Sequence, residues 1–77
     1  MKNIITKIVS NITKVEVEDL ELNMDLFEED LLDSLAIIML VGELSDEFDV
    51  ELDVGFLERS QMSTINNIND TIIEMKG

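Results

Sequence analysis

The sequence predicts an all-α fold, a small bundle of three main helices plus one short helix, with a long loop between helices 1 and 2. Three observations carry this. Apolar residues recur at helical spacing in three separate segments. The chain contains no proline to interrupt them. Its one short alternating stretch, Asp49-Val50-Glu51-Leu52-Asp53, has no second strand in the sequence to pair with. At 77 residues the chain is expected to form a single domain, 1–77. A domain of that size buries only about 60% of its unfolded surface, so its margin of stability is thin.

Ile4, Ile5, Ile8, Val9 and Ile12 line one helical face and predict a first helix over residues 2–12. From 13 to 33 no period persists. Val15, Val17, Leu20 and Leu22 stand among acids, which reads as a long ordered loop anchored by apolar side chains. Asp33 and Ser34 are both good N-caps, because a short side-chain oxygen accepts from the unpaired amides of a first turn. In the helix that follows, Ile37, Leu40, Val41, Leu44 and Phe48 form the core stripe at about 100° per residue. Leu35, Met39, Gly42 and Asp46 fall on the opposite side. Residues 55–61 are expected to form the short helix. Ser63 is expected to cap the last one, with Ile65, Ile68, Ile72 and Met75 buried.

Composition narrows the chemistry. Eighteen acidic and five basic residues leave a net charge of −13. Such a field repels nucleic acid and anionic membrane surfaces and draws in partners with basic patches. Nine of the acids lie within residues 16–33 and seven within 43–58, bracketing Ser34. There is no cysteine, so neither a disulfide framework nor a thiolate metal site exists. The first residues turn polar too early for a signal peptide, and no apolar run reaches membrane-spanning length. No stable membrane insertion and a cytoplasmic location are expected.

Catalytic sites are excluded one by one. Without histidine, Ser34 has no triad base, and the nearest lysine in sequence, Lys14, is remote and followed by acids. Glu28 and Glu29 are a carboxylate pair with no pocket implied around them. The run from Asp49 to Gly55 imitates a calcium loop, yet the sixth position is Val54 and the twelfth Ser60, where such a loop needs glycine and a bidentate glutamate. No metal site and no enzyme are expected. An exposed serine at a helix start, in a chain with no base to activate it, points to modification by another enzyme.

Asp33-Ser34-Leu35 opening the second helix of a short acidic chain resembles the acyl and peptidyl carrier proteins. The resemblance spans essentially the whole chain, with Leu26-Phe27 upstream and Phe48 fourteen residues downstream of Ser34. It implies an acyl-carrier-like helical fold. It also implies that Ser34, flanked by Asp33 and Leu35, receives 4′-phosphopantetheine from coenzyme A through a phosphodiester link made by a separate magnesium-dependent phosphopantetheinyl transferase. Acyl or aminoacyl groups then ride on the arm's thiol as thioesters. A loading ligase and downstream transferases or synthases would be the other partners of a monomeric carrier. Their contact surface is expected at Leu35, Ile38 and Met39, rimmed by Asp33, Glu43, Asp46 and Glu47.

The residues matching Ala36 and Met39 are usually acidic in fatty-acid carriers and are uncharged here. The stretch from Leu26 to Ser34 is similar to D-alanyl carrier proteins of Gram-positive bacteria, as are Arg59 and Asn66-Asn67-Ile68. A proline and a tryptophan usual in that tail are replaced by Asp53 and Met62. Fatty-acid, polyketide or nonribosomal-peptide, and D-alanyl transfer pathways all stay open. The alternative from another class is an acidic helical interaction module without a prosthetic group, which would tolerate Ser34→Ala.

Overall fold

The apolar stripes fold as expected into helices, and the points where they miss have identifiable causes. The computed structural model describes residues 1–53, 55 and 57–76. Among them are four α-helices, α1 (Lys2–Thr13), α2 (Ser34–Phe48), α3 (Arg59–Met62) and α4 (Ile65–Lys76), with a 3₁₀ turn at Val17–Asp19. No strand occurs among the described residues, and Asp49 to Asp53 run without a pairing partner.

Helix α1 buries Ile5, Ile8 and Val9, with Ile12 partly covered. Ile4, expected on the same face, is exposed because it lies at the edge of the stripe in the first turn. The helix ends at Lys14, which adopts a left-handed conformation (φ 66°) and donates its amide to the Ser10 carbonyl at 2.8 Å. The next helix, α2, buries Leu40, Val41, Leu44 and Phe48, and Ile37 packs partly covered against them. Asp49 closes it in a left-handed cap, and the Lys76 ammonium donates to the Phe48 carbonyl at 2.9 Å. A cation there opposes the negative end of the helix dipole.

Three sequence expectations are corrected in the C-terminal third. The short helix spans Arg59–Met62 rather than 55–61. Gly55 sits in a turn closed onto the Asp53 carboxylate, and Glu58 is extended; position 56 lies outside the described residues. A capping box between Glu58 and Gln61 sets the start of α3, with the Glu58 amide donating to Gln61 Oε1 at 2.7 Å. Thr64 rather than Ser63 caps α4, accepting from the Asn67 amide at 3.0 Å. Met75 is exposed, because the covered side of α4 runs from Ile65 to Ile72 and ends before the last turn.

Helix α1 is the hub, packing on both α2 and α4, while α3 packs on α4. The main packing contacts therefore run in series, α2 on α1, α1 on α4 and α4 on α3. The long loop is fastened to this frame. Leu20, Leu26 and Leu32 are buried, the Leu26 amide donates to the Ser63 carbonyl at 2.7 Å, and the Asn66 amide donates to the Leu22 carbonyl at 3.1 Å. These bonds satisfy backbone groups that burial of the loop would otherwise strand. The radius of gyration, 11.1 Å, is close to the ~11.5 Å expected for a compact chain of this length.

Candidate functional site

Ser34 is placed by the end of the long loop and the cap that follows it. The Asp25 carboxylate accepts from the amides of Phe27 and Glu28 at 3.0 and 3.1 Å, folding the chain back on itself. Asp30 then takes a left-handed turn (φ 60°), and the Leu31 and Leu32 amides converge on the Leu26 carbonyl. Leu32 plunges into the core, so the next residues emerge at the surface. Asp33 is extended and caps α2, its Oδ1 accepting from the Ala36 amide at 2.8 Å. Ser34 is therefore the first residue of the helix, and it is exposed.

This position suits attachment of a phosphate-linked group. The amides of a first helical turn lack intrahelical acceptors and carry the positive end of the dipole. The Asp33 side chain takes the Ala36 amide and the Asp33 carbonyl takes that of Ile37, while the amides of Ser34 and Leu35 have no acceptor among the described residues. A phosphate on the Ser34 hydroxyl would lie beside them. Beside Ser34 opens a cleft of about 560 Å³ between α2 and the segment leading into α3. Ile37, Ile38, Leu57 and Met62 give it an apolar lining, with Phe27 and Arg59 at its wall. The residues present fit a phosphopantetheine arm: an accessible hydroxyl, free amides, and room alongside.

The expected contact residues separate into two groups around α2. Leu35 is 67% exposed, Ile38 57% and Met39 49%, and they follow one another at i, i+3 and i+4 beside Ser34. Ile38 also lines the cleft. Glu43, Asp46 and Glu47 are exposed further along the helix, around a shallow depression that includes Ile8 of α1. Asp33 stands at the other end, over Ser34. The acids thus lie at the two ends of the apolar patch rather than in a closed ring.

Sequence reasoning missed the far wall of the cleft. Leu57, Glu58 and Met62 come to Ser34 only through the fold, because a four-residue helix shows no readable period. The Glu-x-x-Gln spacing of Glu58 and Gln61 was the one local signal for where that wall begins.

Comparison with known proteins gives the family. The family model described as "Phosphopantetheine attachment site" matches residues 3–72. A D-alanyl carrier protein of Lactococcus lactis subsp. lactis (strain IL1403) is 37% identical over 76 residues, covering 99% of this chain and 96% of that one. Another from Lacticaseibacillus casei (strain BL23) is 37% identical over 68 residues, covering 88% and 84%. One from Streptococcus mutans serotype c is 30% identical over 77 residues, covering 100% and 96%. With its fold, its exposed helix-start serine and a match over nearly its whole length, the chain belongs to the phosphopantetheine-attachment family and is a carrier protein, not an enzyme.

Proposed function

We propose that this protein carries D-alanine on a 4′-phosphopantetheine arm attached to Ser34. The observation that carries the attachment site is the exposed Ser34 hydroxyl at the first position of α2, next to the Asp33 cap. The D-alanyl cargo is supported by similarity over nearly the full chain to proteins named D-alanyl carrier protein. When bound, the arm supplies the thiol that this cysteine-free chain lacks, on which an aminoacyl group is held as a thioester.

Apart from the Ser34 hydroxyl, whose oxygen becomes part of the phosphodiester, the chain's own residues position rather than react. Ser34 has no histidine anywhere in the sequence to accept its proton, so the base comes from the transferase. Asp33 holds the first turn of α2 closed, which fixes the direction in which the Ser34 Cβ–Oγ bond leaves the surface. Leu35, Ile38 and Met39 form the apolar centre that a modifying or loading enzyme covers when it reaches the arm. Asp33, Glu43, Asp46 and Glu47 steer a basic partner toward that patch. The partners of this reading are a phosphopantetheinyl transferase, a D-alanine-activating ligase and an acceptor transferase, meeting a monomeric single-domain carrier in the cytoplasm.

Intact mass after incubation with coenzyme A and a promiscuous transferase tests the attachment. The wild type is expected to gain one arm and Ser34→Ala none; gain in Ser34→Ala, or none in the wild type with several transferases, would overturn it. Loading the modified protein with a D-alanine-activating ligase and ATP tests the cargo. D-alanine should add to the mass where L-alanine and a fatty acid, each offered with its own ligase, do not.

A further inference from the structure

The cleft beside Ser34 poses an electrostatic problem. Asp30, Asp33 and Glu58 line it, and a phosphodiester on Ser34 would add a fourth negative charge to a chain already at −13. Like charges at such range oppose one another, and the amides of one helix end carry only about half an elementary charge in return. Among the described residues, one cation lines the same cleft: Arg59, at the start of α3.

Arg59 is exposed, and its side chain rests on an aromatic ring. Its guanidinium carbon lies 4.3 Å from the centroid of the Phe27 ring, within the range of a cation–π contact. Phe27 is itself partly buried against the core, in the turn folded by Asp25. The backbone of Arg59 is fixed by the Glu58–Gln61 capping box, and the following turn by Asn67 Nδ2 donating to the Ser60 carbonyl at 2.9 Å. A guanidinium with a ring against one face keeps its N–H donors in its own plane, where they suit phosphate oxygens. The ring belongs to the loop that delivers Ser34 and the guanidinium to the helix across the cleft.

We propose that Arg59, seated on Phe27, is the counter-charge for the phosphodiester of the arm, drawing its first atoms toward the α3 side of the cleft. This rests on Ser34 being the attachment residue. It assigns Arg59 a positioning role on the arm that is separate from any contact with a partner enzyme. The same pairing would offset the repulsion from Asp30, Asp33 and Glu58 that the modification introduces.

The test compares apo and modified protein, ¹⁵N-labelled, with intact mass confirming one arm and Ser34→Ala as the unmodified control. On modification at low salt, the Arg59 Nε–H resonance should shift, and its exchange with solvent should slow about two- to fivefold, the range that an exposed ion pair supports. In Arg59→Gln, the ³¹P resonance of the phosphodiester should move toward its position in the unfolded modified protein, and Arg59→Lys should lie between. If the mass confirms the arm but the Arg59 Nε–H is unchanged and Arg59→Gln leaves the ³¹P resonance in place, Arg59 is not the counter-charge while the attachment stands. If the wild type gains no arm, or Ser34→Ala gains one, both readings fall. Should Arg59→Gln not fold, the apo-to-modified comparison of the wild-type Nε–H decides alone.

Discussion

Helices α2 and α4 carry similar apolar residues but dispose of them differently. In α4, Ile65, Ile68 and Ile72 are all fully buried. Its exposed apolar residues, Ile73 and Met75, are two apart and so point to different sides of the helix. In α2 the core stripe of Leu40, Val41, Leu44 and Phe48 is matched by a second apolar group, Leu35, Ile38 and Met39, that stays in water and forms one patch. Isolated exposed hydrophobes are ordinary, whereas a contiguous patch next to Ser34 is where the proposed partner contact falls. One helix serves the fold. The other serves the fold with one side and leaves an apolar patch in water on the other.

Substitutions can break or sharpen that contrast, beginning with the largest effect. Leu44 is fully buried in the core stripe of α2, and Leu44→Ala is expected to cost about 2–5 kcal/mol in denaturant unfolding. Leu35→Ala on the same helix should stay within about 0.5 kcal/mol of the wild type. Equal costs for the two would mean that the exposed patch is structural and that the contrast within α2 is wrong.

Met39→Glu is the counterpart for binding. It should leave stability nearly unchanged while weakening association with the transferase by about 1–2 kcal/mol, as a truncated interface contact does. Calorimetry or fluorescence anisotropy gives the affinity. Unaltered binding by a folded variant would move the partner surface off this patch.

The cap at the start of α2 comes next. Asp33→Ala removes the acceptor for the Ala36 amide and is expected to cost about 1 kcal/mol of stability. Asp33→Asn, which keeps a side-chain oxygen, should recover most of it. A comparable loss in both would show that charge rather than capping is what Asp33 contributes. The smallest effect is expected from salt. With a net charge of −13, raising ionic strength from low to about 0.1 M shortens the screening length to about 10 Å and should raise the melting temperature by a few degrees. A flat curve would show that repulsion between the acidic segments does not limit this fold.

What was legible before the structure follows from how local each signal is. A helical stripe is written within a dozen residues, so α1, α2 and α4 were readable, as was the Asp33-Ser34 start of α2. Ile4 and Met75 are apolar like their buried neighbours. Whether they are covered depends on which side of each helix has something packed against it. The short helix begins later than its apolar residues suggest because four residues hold little more than one turn, and its boundary lies in a side-chain-to-backbone exchange between Glu58 and Gln61.

The sequence by itself therefore determined the three long helices, the acidic surface and the serine. Each arises from interactions between residues a few positions apart, or from charge that no fold can remove. Helical spacing also separated the buried stripe of α2 from exposed Leu35 and Met39, whereas only the tertiary structure decided which residues form the far wall of the cleft. It also decided that the loop is pinned through Leu26 and Leu22 to the backbone of Ser63 and Asn66, and that Arg59 meets Phe27 across the cleft from Ser34. Those contacts join residues more than thirty positions apart. Their energies depend on the packing of α1 against both α2 and α4, which no local pattern encodes.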